Sequence, residues 1–167
     1  MARIRWYLAI QPVPPPPGRP YGGAVTKLLL SIHVLAAIVA VGPVTVAASM
    51  FPAVARRATG TERDAAVLAN LHRICRVYAA VGITVPVFGL ATATSLGVLG
   101  DAWLLTSIAL TAGAAGVLVL LVLPGQRAVQ ASTVDTRRLA MYTGAFNLLW
   151  ATVTVLMIVR PGSTTGA

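Results

Sequence analysis

Few residues in this chain have side chains that could do chemistry. They are two histidines, His33 and His72, one cysteine, Cys75, and the methionines Met50 and Met141. His33 lies inside an uncharged run from Leu28 to Phe51. An ionisable side chain at membrane depth costs free energy, so such a residue is a candidate functional site. At helical spacing, the positions three, four and seven further on are Ala36, Ala37 and Ala40. That small-residue face turns His33 toward a partner helix. Asn147 and Trp150 of the last apolar run fall at comparable depth if that run is antiparallel, which makes them the expected neighbours of a His33 cofactor site. Three roles are open to His33. It could be a neutral imidazole bonded to Asn147, Ser31 or a backbone carbonyl, a ligand to haem or a transition metal, or a proton relay.

His72 and Cys75 form H-x-x-C and share one helical face. Met50, ending the first apolar run, and Met141, opening the last, are expected at the same membrane surface. Histidine, thiolate and thioether together suit a soft ion such as Cu(I). The candidate metal ligands are therefore His33, His72, Cys75 and Met50. The competing reading is plainer: H-x-x-C recurs by chance, methionine fills membrane interiors, and His72 beside Arg73 suits lipid headgroups. No catalytic set appears. There is no G-x-S-x-G, Walker loop, H-E-x-x-H or C-x-x-C, and no acidic residue lies inside an apolar run. An enzyme is the least expected class.

The elements that must position these residues follow from composition. Of 167 residues, 57% are hydrophobic and only 10% charged, with a mean hydropathy of +0.81. Average usage is ~25% charged, so an integral membrane protein is the direct reading. The 24 positions from Leu28 to Phe51 reach about 36 Å as a helix, enough for a ~30 Å hydrocarbon core. Three further apolar runs complete an all-α four-helix transmembrane bundle of up-and-down topology, with spans at about 26–50, 75–99, 103–123 and 139–159. Pro52 is expected to open the first connection. One long helix is expected from about Glu62 to Val98, and Pro124-Gly125 to close the third span. Residues 1–23 read as a proline-rich disordered tail and 161–167 as a short polar one. Met1 to Ile10 is too short and too aromatic for a signal peptide, so none is expected.

Formal net charge is +9, but the basic residues cluster between the apolar runs, beside lipid headgroups, so the expected partner is the bilayer and not nucleic acid. Eight arginines fall on one side of the four-span layout: Arg56, Arg57, Arg63, Arg73, Arg76, Arg127, Arg137 and Arg138. The positive-inside rule places that side in the cytoplasm of an inner (plasma) membrane, with both termini outside. Small residues at packing spacing, such as Ala36 with Ala40, Ala109 with Gly113 and Ala112 with Gly116, allow close helix approach. They also suit a homo-oligomer or a membrane-protein partner. Trp6, Tyr7, Trp103, Tyr78 and Tyr142 are expected as interfacial anchors.

The segment Leu29-Leu30-Ser31-Ile32-His33-Val34-Leu35-Ala36-Ala37-Ile38-Val39-Ala40-Val41-Gly42 resembles the first span of a family of small bacterial integral membrane proteins of unknown function, with the pattern L-H-V-L-A-A-x-x-W-x-G-G. That family resembles in turn the membrane domain of copper resistance protein D and, more distantly, small haem-linked protoporphyrinogen oxidases of bacteria. The resemblance implies haem or copper at His33. Ala40 stands where the pattern has Trp, and Pro43 where it has the second Gly. The expected function is therefore a bacterial membrane protein binding haem or copper through His33. The alternatives are a non-catalytic accessory subunit of a membrane complex, or a small-solute or metal permease.

Overall fold

The computed structural model describes residues 20–131 and 135–162, and among them there are helices and connections but no strand. The proline-rich segment over 1–19, with Trp6 and Tyr7, lies outside the described residues, as does the tail over 163–167. Four helical stretches are long and apolar enough to cross a membrane: Gly23–Arg57, Glu62–Leu96, Ala102–Gln130 and Thr136–Val159. Their surfaces agree with lipid contact, since large apolar side chains such as Leu120, Leu148 and Ile158 are about 70% exposed. In water that exposure would be costly; in hydrocarbon it is not. The protein is an all-α four-helix membrane bundle.

Helix α1 (Pro20–Arg57) starts earlier and ends later than the sequence suggests. Pro20 opens it, where a missing amide costs nothing. It runs straight through Pro43 and Pro52. Pro52, expected to begin a loop, is buried in the helix beside Phe51 and Ala48, which are fully buried in the main core. Packing there outweighs the one helical hydrogen bond that the proline removes.

The connection is therefore only four residues, with Gly60 at φ +84°, a left-handed position that glycine adopts freely. Helix α2 (Glu62–Val81) begins with a complete capping box. The Thr61 hydroxyl accepts from the Asp64 amide at 3.2 Å, and the Asp64 carboxylate accepts from the Thr61 amide at 3.3 Å and the Thr59 amide at 2.9 Å.

The expected single helix from Glu62 to Val98 is two. Helix α2 ends at Gly82-Ile83, and helix α3 (Thr84–Leu96) continues the span. The break lies four residues before Pro86, whose missing N–H would have bonded the Gly82 carbonyl; Val85 N–H bonds it instead, at 3.1 Å.

The third span is helix α4 (Ala102–Gly116), a π-helical turn (Val117–Val122) and helix α5 (Leu123–Gln130). The span does not stop at Pro124. The Leu123 amide reaches back five residues to the Leu118 carbonyl, and this wider turn accommodates the proline ring. Helix α6 (Thr136–Val159) is the fourth span, started by the Asp135 carboxylate accepting from the Arg137 amide at 2.9 Å.

α1 packs on α2, α3 and α6, and α4 packs on α6. The second and third spans meet through α2 and α5. The main core, including Phe51, Leu71, Cys75, Val122, Leu139 and Phe146, sits toward the end that carries the eight arginines. A smaller cluster of Ala93, Val98, Trp103 and Leu104 closes the opposite end. Trp103 is buried there and not spread at an interface; its indole N–H donates to Asp101 at 2.9 Å, and the Arg160 guanidinium stacks 5.5 Å from its ring centre.

The capping box generates the first prediction. Thr61→Ala costs about 1 kcal/mol, read as a lower thermal midpoint of the detergent-solubilised protein, whereas Thr61→Ser retains the bond and the midpoint.

Candidate functional site

His33 does not face the fourth span. Its Nδ1 lies 2.9 Å from the carbonyl oxygen of Val85, in the first turn of α3. A carbonyl only accepts, so Nδ1 carries the proton and, in the neutral ring, Nε2 keeps its lone pair. The ring rests on Gly89: a Cβ built there would stand 2.9 Å from His33 Cε1 and 3.2 Å from Nδ1. A methyl at 89 would push the imidazole from its place against the helix. Of the three partners open to His33 in the sequence, the backbone carbonyl is the one the fold supplies. Val85 and Gly89 were not legible as its neighbours, because the break at Gly82-Ile83 decides which face α3 turns to α1.

Asn147 instead donates through Nδ2 to the Ser49 hydroxyl at 3.0 Å. Ser49 is sixteen residues beyond His33, about 24 Å along α1. Sixteen residues on from Asn147 passes the end of α6 at Val159, so this register leaves no α6 residue level with His33. The expected grouping of His33 with Asn147 and Trp150 is therefore corrected: α1 extends well beyond α6 at the end opposite the arginines, and His33 lies in that extension. Thr143 Oγ1 and Asn147 Oδ1, four residues apart on α6, are buried with no hydrogen-bond partner among the described residues.

His72 and Cys75 do come together, through a residue that the sequence did not single out. His72 Nδ1 donates to Gln126 Oε1 at 2.8 Å, and Gln126 Nε2 donates to Cys75 Sγ at 3.4 Å. Arg127 Nε donates to His72 Nε2 at 3.4 Å. Both nitrogens of His72 are thereby engaged, and Gln126 is completely buried. This chain ties α2 to α5. Met50 and Met141 are 49% and 69% exposed, on the outside of the bundle. Among the described residues no three His, Cys, Asp or Glu side chains gather as metal ligands.

Between the two packed ends, a cleft of about 410 Å³ opens where the second and third spans part. All four spans line it: Ala40 and Val44 of α1, Tyr78 and Ala79 of α2, Pro86 of α3, Thr111 and Ala115 of α4, Leu118 of the π turn, and Phe146 and Trp150 of α6. Phe146 and Trp150 meet edge to face at the back, with ring centres 6.5 Å apart. Ile83 and Val119 on its rim are exposed, so it faces the surface that lipid covers. The one charged residue in its lining is Arg76. Its Thr111 hydroxyl is already bonded to the Ser107 carbonyl at 2.7 Å. Tyr78, expected as an anchor, belongs to this wall.

The small-residue face of α4 is not used as expected. Ala109, Ala112 and Gly113 are exposed, while Ala114 is the position buried in the core. Compared with protein-family models, with curated proteins and with solved structures, the chain matches none.

The His33 contact yields a double-mutant prediction. Gly89→Ala drives a methyl into the imidazole and lowers the thermal midpoint, and the same substitution in a His33→Ala background costs much less, since the ring supplies the three nearest obstacles. Equal costs in both backgrounds would refute the contact.

Proposed function

We propose that this protein is a non-enzymatic, membrane-embedded binding protein that takes an apolar chain from the bilayer into the cleft between its second and third spans. The observation that carries this reading is the cleft itself. Its size falls in the range of ligand sites, about 300–1,000 Å³, and its walls come from every span. Burial of an alkyl chain yields little against lipid as reference, so selectivity comes from shape and from the polar group at the cleft's edge. The excess of arginines at one end supports, by the positive-inside rule, a cytoplasmic position for that end in a bacterial inner membrane.

The test uses Trp150 as reporter. A phospholipid brominated on its acyl chains quenches Trp150 emission saturably in mixed micelles, and a Trp150→Phe variant loses that component. Ala115→Phe fills the cleft from α4 and lowers the saturable quenching several-fold with an unchanged thermal midpoint. Quenching that is non-saturable, or indifferent to Ala115→Phe, overturns the reading.

A second reading rests on His33. Ligating histidines usually have the other ring nitrogen fixed by a carbonyl or carboxylate, and His33 Nδ1 is fixed on Val85 in that way. A single imidazole nitrogen does not make a copper site, which needs further ligands, but it suffices as one axial ligand to haem. The resemblance of Leu29–Gly42 to a family that in turn resembles copper-linked and, more distantly, haem-linked membrane proteins supports the same residue. Haem would supply a redox-active iron; the chain's part is to present Nε2 in one tautomer. On this reading the purified protein reconstituted with haem shows a Soret band that His33→Ala abolishes, and a spectrum unchanged by that substitution rejects it.

A further inference from the structure

The geometry points to an anionic phospholipid as the occupant of the cleft, with one acyl chain between the second and third spans and its phosphate at Arg76. This rests on the cleft being a binding site and names the ligand class it would take.

Shape decides the chain. From Arg76 to Pro86 the cleft follows the second span for about 15 Å, counted at ~1.5 Å per residue. The cleft holds about 410 Å³, room for a thin flexible chain lying along it. The lining is mostly alanine, valine and leucine with three aromatic rings, Tyr78, Phe146 and Trp150, and its Thr111 hydroxyl is already bonded to a backbone carbonyl.

Charge decides the headgroup. Arg76 is exposed and forms no hydrogen bond or ion pair among the described residues. Its own end of the bundle carries eight arginines against three carboxylates, Glu62, Asp64 and Asp135. Asp64 is occupied by the Thr59 and Thr61 amides, and Asp135 by the Arg137 amide. Arg76 therefore has no protein carboxylate to neutralise it, and a guanidinium is shaped to take two phosphate oxygens at once. Arg127 is not in the cleft lining and donates to His72. The charge of the cleft thus resides in one side chain, at the end where a lipid of that leaflet has its headgroup.

The experiment compares brominated phosphatidylglycerol with brominated phosphatidylcholine of the same chains, using Trp150 quenching of the full chain in mixed micelles. The expected result is about a fivefold preference for the anionic lipid, the ratio that an arginine near a membrane surface typically confers. The preference falls with added salt, vanishes in Arg76→Gln, returns in Arg76→Lys, and survives in Arg73→Gln, whose residue lies outside the cleft. Helical circular dichroism of each variant confirms folding. Equal saturable quenching by both lipids, still sensitive to Ala115→Phe, overturns the headgroup assignment and leaves the cleft a binding site. A preference that survives Arg76→Gln also overturns it. No saturable quenching by either lipid rejects both readings together.

Discussion

A helix inside hydrocarbon must satisfy its backbone hydrogen bonds within the protein, because no water is there to do so. The rest of this structure depends on where that requirement is strained. Pro86 removes the amide that would have bonded the Gly82 carbonyl, and the second span breaks at Gly82-Ile83 as a result. Both halves stay on α1; α2 meets the third span through α5, and α3 meets it only at the far end, through Ala93 against Trp103 and Leu104. The second and third spans are therefore joined at their two ends and parted between, and the cleft is that space. A proline at the mid-depth of one span thus shapes an opening that all four spans line.

Two half-buried histidine contacts hold this arrangement at different depths. Near one end the imidazole of His33 bonds the Val85 carbonyl and lies against Gly89, fastening α3 to α1 beyond the break. Near the other, Arg127, His72, Gln126 and Cys75 form a chain of donors and acceptors across α2 and α5. Hydrogen bonds in a low-dielectric interior are costly to leave unmade, so each contact fixes one relative placement of its helices. The same residues that look like metal ligands in isolation are here largely consumed by protein partners.

Packing is unevenly distributed. The dense core gathers around Phe51, Cys75, Val122 and Phe146 at the arginine-rich end, while much of α4 presents small or apolar residues outward. Lipid supplies no hydrophobic drive to close such a surface, so close contact forms only where side chains interlock. The cleft persists for that reason: its alanines and Thr111 are too small to fill the space that the break at Gly82-Ile83 opens.

Composition and hydropathy alone determined the class of object. Four apolar runs, short polar links and arginines gathered on one side lead to the four-span bundle that the structure has, because length and transfer free energy act residue by residue. The cap at Thr61 and Asp64 was legible for the same reason, being local. What sequence reasoning mistook was set at longer range. Pro52 and Pro124 read as stops, yet the core around Phe51 and the π turn before Leu123 carry the helices past them. His33 stood out as the ionisable residue of the first span, but its partner depended on the break near Pro86 and on α1 outrunning α6. Gln126, Gly89 and Arg76 carried no local signal, since each acquires its role from a neighbour more than fifty residues away or from a cleft that exists only once four helices are assembled. Periodicity fixes which elements exist; only the packing of their faces decides which side chains meet.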